Sequence, residues 1–385
     1  MRHPPSSPPA AHRLFDPTPA MARRVGSRLG GGLAARWLAR PFSGRRAGRL
    51  CIYHETDRIS FAQIYPFLHY HRDIAAAHDV EIRCMPVARL LEGGPLPAAD
   101  MALVQVWFTV DGTALDRALE RLRAAVPRVS FVDAFAHNDL RLARHVAPHV
   151  DFYLKKSLFR DRSLYFRPFQ GDTNLTEFYQ HRYGLEGAVV DWQVPEGFPE
   201  RLRLSPNFFT APRLLRGFER ATPPRTEGRA IDVHARLGLG PANGSWYRRM
   251  REEGLARIAA IPGIELRSAG KVPPAAFMAE LDASKLCFSP FGYGELCWRD
   301  VEAILAGAVL IKPDMGHLET LPDLYEAGVT YLPVSWDFAD LDAVVQGALE
   351  DTALRARIAT EAFRRVRNYL QTRAFPGDVA FLFDA

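Results

Sequence analysis

From Ser284 to Leu332 the chain reads SKLCFSPFGYGELCWRDVEAILAGAVLIKPDMGHLETLPDLYEAGVTYL, and this stretch constrains the fold more than any other. A short apolar run, Leu286 to Ser289, is followed by a turn at Pro290, Gly292 and Gly294. A helical run from Cys297 to Ala306 comes next, and Gly307 ends it. A second apolar run, Ala308 to Ile311, leads into Lys312, Pro313 and Asp314. Strand, glycine turn, helix, strand is one βαβ unit, because parallel strands need a crossover between them. In open α/β sheets, ligands bind at the strand-to-helix turns on the carboxyl-terminal edge. Here that edge carries Tyr293, Glu295, Arg299, Asp300 and Glu302. That is more polarity than a plain turn requires.

The rest of the chain repeats the pattern. An apolar strand from Leu50 to Tyr53 ends in His54-Glu55-Thr56-Asp57, and a helix from about Ser60 to His78 follows. Strands are expected at Val80–Met85, Met101–Phe108, Arg128–Val132 and Asp151–Leu154, with a helix at Thr113–Ala125. The near-continuous apolarity of Met101–Phe108 fits a strand covered on both faces. Residues 155–183 break the rhythm with aromatics and arginines around Gly171-Asp172-Thr173-Asn174, and read as an insertion near a cleft. The proline-bearing segment 196–228 reads as a linker. A second series opens at Ala230–Val233, whose strand ends in His234-Ala235-Arg236 before a loop holding Gly238, Gly240 and Gly244. Helices at Trp246–Ala260, Pro274–Asp282, Asp340–Leu349 and Thr352–Leu370 and a strand at Ile264–Arg267 complete it. The expected fold is α/β, with two Rossmann-like doubly wound lobes facing a cleft and a disordered basic leader. The expected boundaries are 1–48 for the leader, 49–225 for the first lobe with its linker, 226–352 for the second lobe, and 353–385 for a helix crossing back.

Charge separates the leader from the body. Ten arginines against one acid give residues 1–50 a charge of +9, so the whole-chain +5 leaves −4 for residues 51–385. The body therefore has no nucleic-acid footprint. The leader reads as a solvated tail, with a start at Met21 as an alternative. Leu33, Trp37 and Leu38 offer one face for peripheral contact with an anionic membrane. No apolar run approaches the ~20 residues of a membrane span. Four cysteines, Cys51, Cys84, Cys287 and Cys297, show neither disulfide-framework nor zinc spacing, which places the chain by default in a reducing cytoplasm.

The run Arg299-Asp-Val-Glu302-Ala-Ile-Leu-Ala-Gly307-Ala, then a strand, Pro313-Asp314, Leu324-Tyr325 and Asp340-Leu341, resembles the carboxyl-terminal lobe of GT-B glycosyltransferases. The form it is most similar to is that of the CgeB-type and exostosin-like domains. The specific match covers roughly Ser284 to Leu341, and the two-lobe layout extends it over about residues 50–370. The resemblance implies transfer of a sugar from a nucleotide-sugar to a glycan, lipid or surface polymer, without a metal or other cofactor. It implies that Glu302 holds the donor ribose, since a carboxylate accepts from two vicinal hydroxyls. The related pattern has two acids eight residues apart. Gly294 occupies the earlier position here and Glu295 comes one later. Gly292, Tyr293 and Gly294 would let the diphosphate approach a helix start, with Arg299, Arg236 and Lys271 as cationic partners and His234 beside them. A general base at the edge of the first lobe would be Asp57 or His54. Against these stand plainer readings: dipole partners for Glu295 and Asp300, an ion pair for Arg299, a core-edge imidazole for His234. Asp340-Leu-Asp342 reads as a helix cap rather than a metal site. A nucleotide-sugar epimerase of the same fold and a binding protein without turnover are the rival functions.

Overall fold

The computed structural model describes residues 39–384 apart from 207 and 269. The expected lipid-contact segment and the alternative start fall outside the described residues. The first lobe contains β1 (Gly48–His54), β2 (Val80–Pro86), β3 (Met101–Val104), β4 (Arg128–Asp133), β5 (Phe152–Lys155), β6 (Ser157–Phe159), β7 (Phe169–Gln170), β8 (Val189–Val190) and β9 (Leu202–Leu204). Six of these form one parallel sheet in the order β2-β1-β3-β4-β5-β9. Helices α1 (Arg58–His69), α2 (His71–His78) and α3 (Gly112–Ala125) pack on it. Every residue of β3 is buried, as a strand covered on both faces must be. The second lobe is a parallel sheet of β10 (Ile231–His234), β11 (Leu266–Arg267), β12 (Ser284–Phe288), β13 (Val309–Pro313) and, past β14 (Leu318–Thr320), β15 (Leu332–Val334). Its order is β11-β10-β12-β13-β15. Two doubly wound α/β lobes are thus present, as the sequence led us to expect.

Helix α4 (Asn174–Arg182) precedes β9, and α5 (Pro212–Arg220) lies between the two sheets in sequence. Helices α6 (Trp246–Ala260), α7 (Pro274–Asp282), α8 (Trp298–Ala306), α9 (Leu341–Glu350) and α10 (Thr352–Gln371) belong to the second lobe. Gly307 closes α8 in the left-handed region at φ 72°, where a side chain would be strained. The segment expected as a linker supplies β9 to the first sheet, as well as α5. Its single alternating turn of strand was too short to read. The expected helix 60–78 is two helices with a break at Tyr70. Pro66 lacks the N–H that would have bonded the Ala62 carbonyl, and the Thr210 hydroxyl bonds it instead at 2.9 Å. The expected strand 101–108 stops at Val104, where the Gln105 side chain turns to donate to the Ser60 carbonyl. The last leader residues are ordered: Glu81 on β2 accepts from the backbone of Ser43 and Gly44. Asp340 does not cap α9 with its side chain but accepts from the backbone and hydroxyl of Ser335.

The lobes touch at several separate places. Strand β6 of the first pairs antiparallel with β14 of the second, Leu318 opposite Phe159 and Thr320 opposite Ser157. Helix α4 sits on the second lobe, with the Tyr179 hydroxyl donating to the Trp336 carbonyl at 2.8 Å and Arg182 paired to Glu253 at 2.6 Å. Beyond α10 the chain returns to the first lobe, where Phe375 packs edge-on against Phe67 and His78 Nε2 lies 2.9 Å from the Pro376 carbonyl oxygen.

Candidate functional site

The glycine turn after β12 lies against the loop after β4. A Cβ placed on Gly294 would fall 1.8 Å from the carbonyl oxygen of Ala136, so only glycine permits this approach. Two carboxyl-terminal sheet edges therefore meet here. On the first-lobe side, Asp133 at the end of β4 binds Lys155 at the end of β5 (2.5 Å) and the Tyr153 hydroxyl (2.8 Å). His137 Nδ1 lies 2.8 Å from Asp172 of the insertion. Lys156 is fully buried, and burial followed by the nearby Lys155 pushes its pKa down to about 8.

On the second-lobe side, Glu295 is completely buried and its two carboxylate oxygens have no hydrogen-bond partner among the described residues. His317 Nε2 stands 3.7 Å away, an ion-pair distance. Burial alone would raise this carboxyl, but His317, its own backbone and His137 outweigh burial and hold it below the ordinary value. Asp300 is buried in a network rather than merely facing the helix dipole. It accepts from the Ser289 and Tyr325 hydroxyls at 2.6 and 2.8 Å and from the Cys297 backbone at 3.0 Å, with Lys312 at 3.2 Å. This network fixes the start of α8 behind the glycine turn.

Next to the turn, the Tyr293 ring stacks on Tyr247 at 4.4 Å, nearly parallel. The Arg251 guanidinium covers Tyr247 at 4.3 Å and donates to the carbonyls of Phe291 and Gly238. One arginine thereby ties the glycine loop after β10 to the glycine turn after β12. Gly292 donates its N–H to the Gly294 carbonyl at 2.9 Å, closing the turn. Arg299 donates through Nη2 to the Arg236 carbonyl, and its buried Nε has no partner among the described residues. Arg236 itself grips Glu280 with two nitrogens. His234 at the end of β10 is fully buried, 3.5 Å from Glu280. Burial first, then Arg299, pushes its pKa down to about 4. Lys271 is exposed in the loop after β11. Glu302, on the second turn of α8, forms an ion pair with Arg213 of α5. The structure thus gathers Gly292, Tyr293, Gly294, Arg299 and Arg236 around two neighbouring loops, and sets Glu302 on the α5 side of the same helix.

At the end of β1, His54 Nδ1 lies 2.8 Å from the Glu55 carbonyl oxygen, which makes Nδ1 the donor and leaves Nε2 with the lone pair. Burial pushes His54 below the usual imidazole value, so it is neutral at pH 7. Glu55 accepts from the Trp107 backbone, and burial raises its pKa. One Asp57 oxygen caps α1 by accepting from Ile59 and Ser60, and the other is buried and without a partner among the described residues. Sequence reading missed Tyr247, Arg251, His137, Asp172 and Lys156. The aromatic and basic richness of 155–183 was the signal for Asp172 and Lys156. Arg251 carries no signal, since it looks like any other cation on an arginine-rich helix.

Among the described residues no group of three or more His, Cys, Asp or Glu side chains is placed to hold a metal ion. No helix there is long and apolar enough to cross a membrane. No family model and no curated protein matches the chain. Among solved structures it is similar to a glycosyltransferase from Rickettsia africae ESF-5, at 8% identity and a TM-score of 0.47, over 87% of this chain and 97% of that one. It is similar to T4 phage BGT, solved with its UDP-glucose substrate, at 9% identity and a TM-score of 0.43, over 88% and 100%. A UDP-forming α,α-trehalose-phosphate synthase from Burkholderia vietnamiensis matches at 15% identity and a TM-score of 0.40, over 84% and 78%. These are likenesses of chain path, and the reading of the site rests on its own residues.

Proposed function

We propose that the chain is a GT-B glycosyltransferase of the CgeB-type and exostosin-like form, moving a sugar from a nucleotide-sugar to a glycan, lipid or surface-polymer acceptor. The observation that carries this is the pair of glycine loops of the second lobe, joined by Arg251 and Tyr247 and opening at the contact with the first lobe. Donor diphosphate would lie across these loops, where Arg299, Arg236 and Lys271 can meet its charge as the glycosidic bond breaks. Glu302 would accept from the ribose hydroxyls, with Arg213 holding its carboxylate in place. Glu295 would face the donor sugar once the glycine turn that carries Gly294 shifts. His54 would take the acceptor proton on Nε2, its tautomer fixed by the Glu55 carbonyl. The cap role of Asp57 leaves it positioning this turn rather than acting as the base. No metal or other cofactor enters this scheme, and the setting is the cytoplasm, at the inner membrane surface if the leader binds lipid.

The test is thermal unfolding of the full chain against UDP, GDP, CDP and dTDP at millimolar concentration, with Glu302→Ala in parallel. A ligand that binds only the folded state raises its apparent stability. One nucleotide that raises the melting temperature of the native protein, but not of Glu302→Ala, supports the donor site. No shift with any of the four favours a binding protein without turnover.

A further inference from the structure

A row of rings runs away from His54 along α1. His54 contacts Phe61 at 5.9 Å, Phe61 contacts Tyr65 at 6.0 Å, and Tyr65 contacts His69 at 5.8 Å. Phe61, Tyr65 and His69 follow at four-residue spacing, so they share one face of the helix. All three are half-buried, and each ring is tilted 40–53° to the next, so the row offers a stepped series of partly open ring faces rather than a protruding wedge.

Helix α5 runs beside this row in the same direction. Thr210, just before α5, bonds Ala62, and Glu219 near the end of α5 pairs with His69 at 3.2 Å. Arg216 and Glu219 both lie near enough to the Tyr65 hydroxyl to act on its ionisation, after the effect of burial. The exposed face of α5 carries Arg213, Arg216, Glu219 and Arg220. Arg213 reaches Glu302 and Glu219 reaches His69, while Arg216 and Arg220 have no acidic partner among the described residues. One end of the strip therefore holds both His54 and the Arg213–Glu302 pair, the two groups assigned above to acceptor and donor.

We infer that this strip binds an extended anionic saccharide, the part of the acceptor chain behind its reacting end. The inference rests on the transfer reading for its orientation toward His54. Pyranose rings lay their C–H faces on aromatic rings, and the ring-to-ring spacing near 6 Å is close to the rise of one sugar residue in an extended chain. Tyr65 and His69 add polar edges for hydroxyls, and Arg216 and Arg220 match carboxylate or phosphate substituents in forked geometry. A membrane surface would instead require large apolar side chains that stand out. Among the described residues the exposed ones are Phe166 and Val189, and neither is on α1 or α5.

Isothermal titration of the full-length protein with a galacturonate hexamer and a heparin hexasaccharide decides it. The methyl-esterified galacturonate hexamer serves as the neutral control, and phosphatidylglycerol vesicles as the lipid control. The expected result is binding of at least one anionic hexamer, weakened about tenfold or more by the paired change Arg216→Glu with Arg220→Glu. Tyr65→Ala weakens it similarly, and Tyr65→Phe, which keeps the ring and loses only the hydroxyl, weakens it less. The arginine changes lie on an exposed face and keep the variant folded should Tyr65→Ala fail. No binding of either anionic hexamer at millimolar concentration, equal binding by the arginine variant, or vesicle binding lost on the same changes overturns the inference. The nucleotide shift, measured on the same samples, is untouched by these changes. Its absence in the native protein would sink the transfer reading, whereas the saccharide titration decides the strip by itself.

Discussion

Gly294→Ala converts the contact between the lobes into a measurable clash. The new methyl would lie 1.8 Å from the Ala136 carbonyl oxygen. A carbon–oxygen contact needs about 3.3 Å, so the two backbones must separate by about 1.5 Å. Neither obstacle is the end of a flexible side chain, and the cost belongs at the upper end of overpacking, about 3 kcal/mol. For a chain of this size that lowers the melting temperature by about 4 °C. Gly292→Ala, whose Cβ would meet Cys297 Sγ at 3.3 Å and the Gly294 carbonyl oxygen at 3.4 Å, costs only a fraction of this. Gly347→Ala on α9 has open space around it and gains about 0.5–1 kcal/mol from helix propensity. Differential scanning calorimetry on the three variants should give that order. If Gly294→Ala melts no lower than Gly347→Ala, the lobes do not meet at this turn and the reasoning about the site fails with it.

Stability should also depend on His234. Its pKa is pushed down to about 4 in the fold against about 6.5 in the unfolded chain, so its stabilising neutrality is complete above 6.5 and lost as pH falls toward 4. The loss is at most about 3 kcal/mol, and His234→Asn should flatten the melting profile over that window. An equal acid loss in both proteins would refute this. Arg229→Met removes a guanidinium that donates to the carbonyls of Arg225, Leu281, Ser284 and Ala306, and should cost about 3 kcal/mol by chemical denaturation. An unchanged midpoint would show that water serves those carbonyls equally well. Small-angle scattering curves with and without the nucleotide that shifts melting should superimpose. A contraction on binding would show that the lobes rotate.

Regular βαβ geometry was legible because it depends on local pattern. Trp246–Ala260 and Pro274–Asp282 have the bounds that capping and periodicity indicate, and Gly307 ends α8 as glycine should. The position of β9 was not legible, since a three-residue strand carries almost no periodicity and its place in the sheet is decided by partners far away in sequence. The same limit governs the site. Arg299 and Glu302 were visible from their setting in the helix, but the pairing of Glu302 with Arg213 spans 89 positions. Arg251 gains its role only when two separate loops converge on it.

The attachment of β6 to β14 changes what kind of machine the two lobes can form. The two peptide crossings lie side by side, with Arg367 donating to the Ala221 carbonyl and Tyr369 packed on Phe209, and alone they would make one hinge axis. The β6–β14 pair and the seat of α4 pin the lobes independently of that axis. Two bodies held along separate lines lose their rotation. Admission and release of a ligand then fall to the short glycine loops, and the Tyr293–Tyr247 stack becomes the latch that must part.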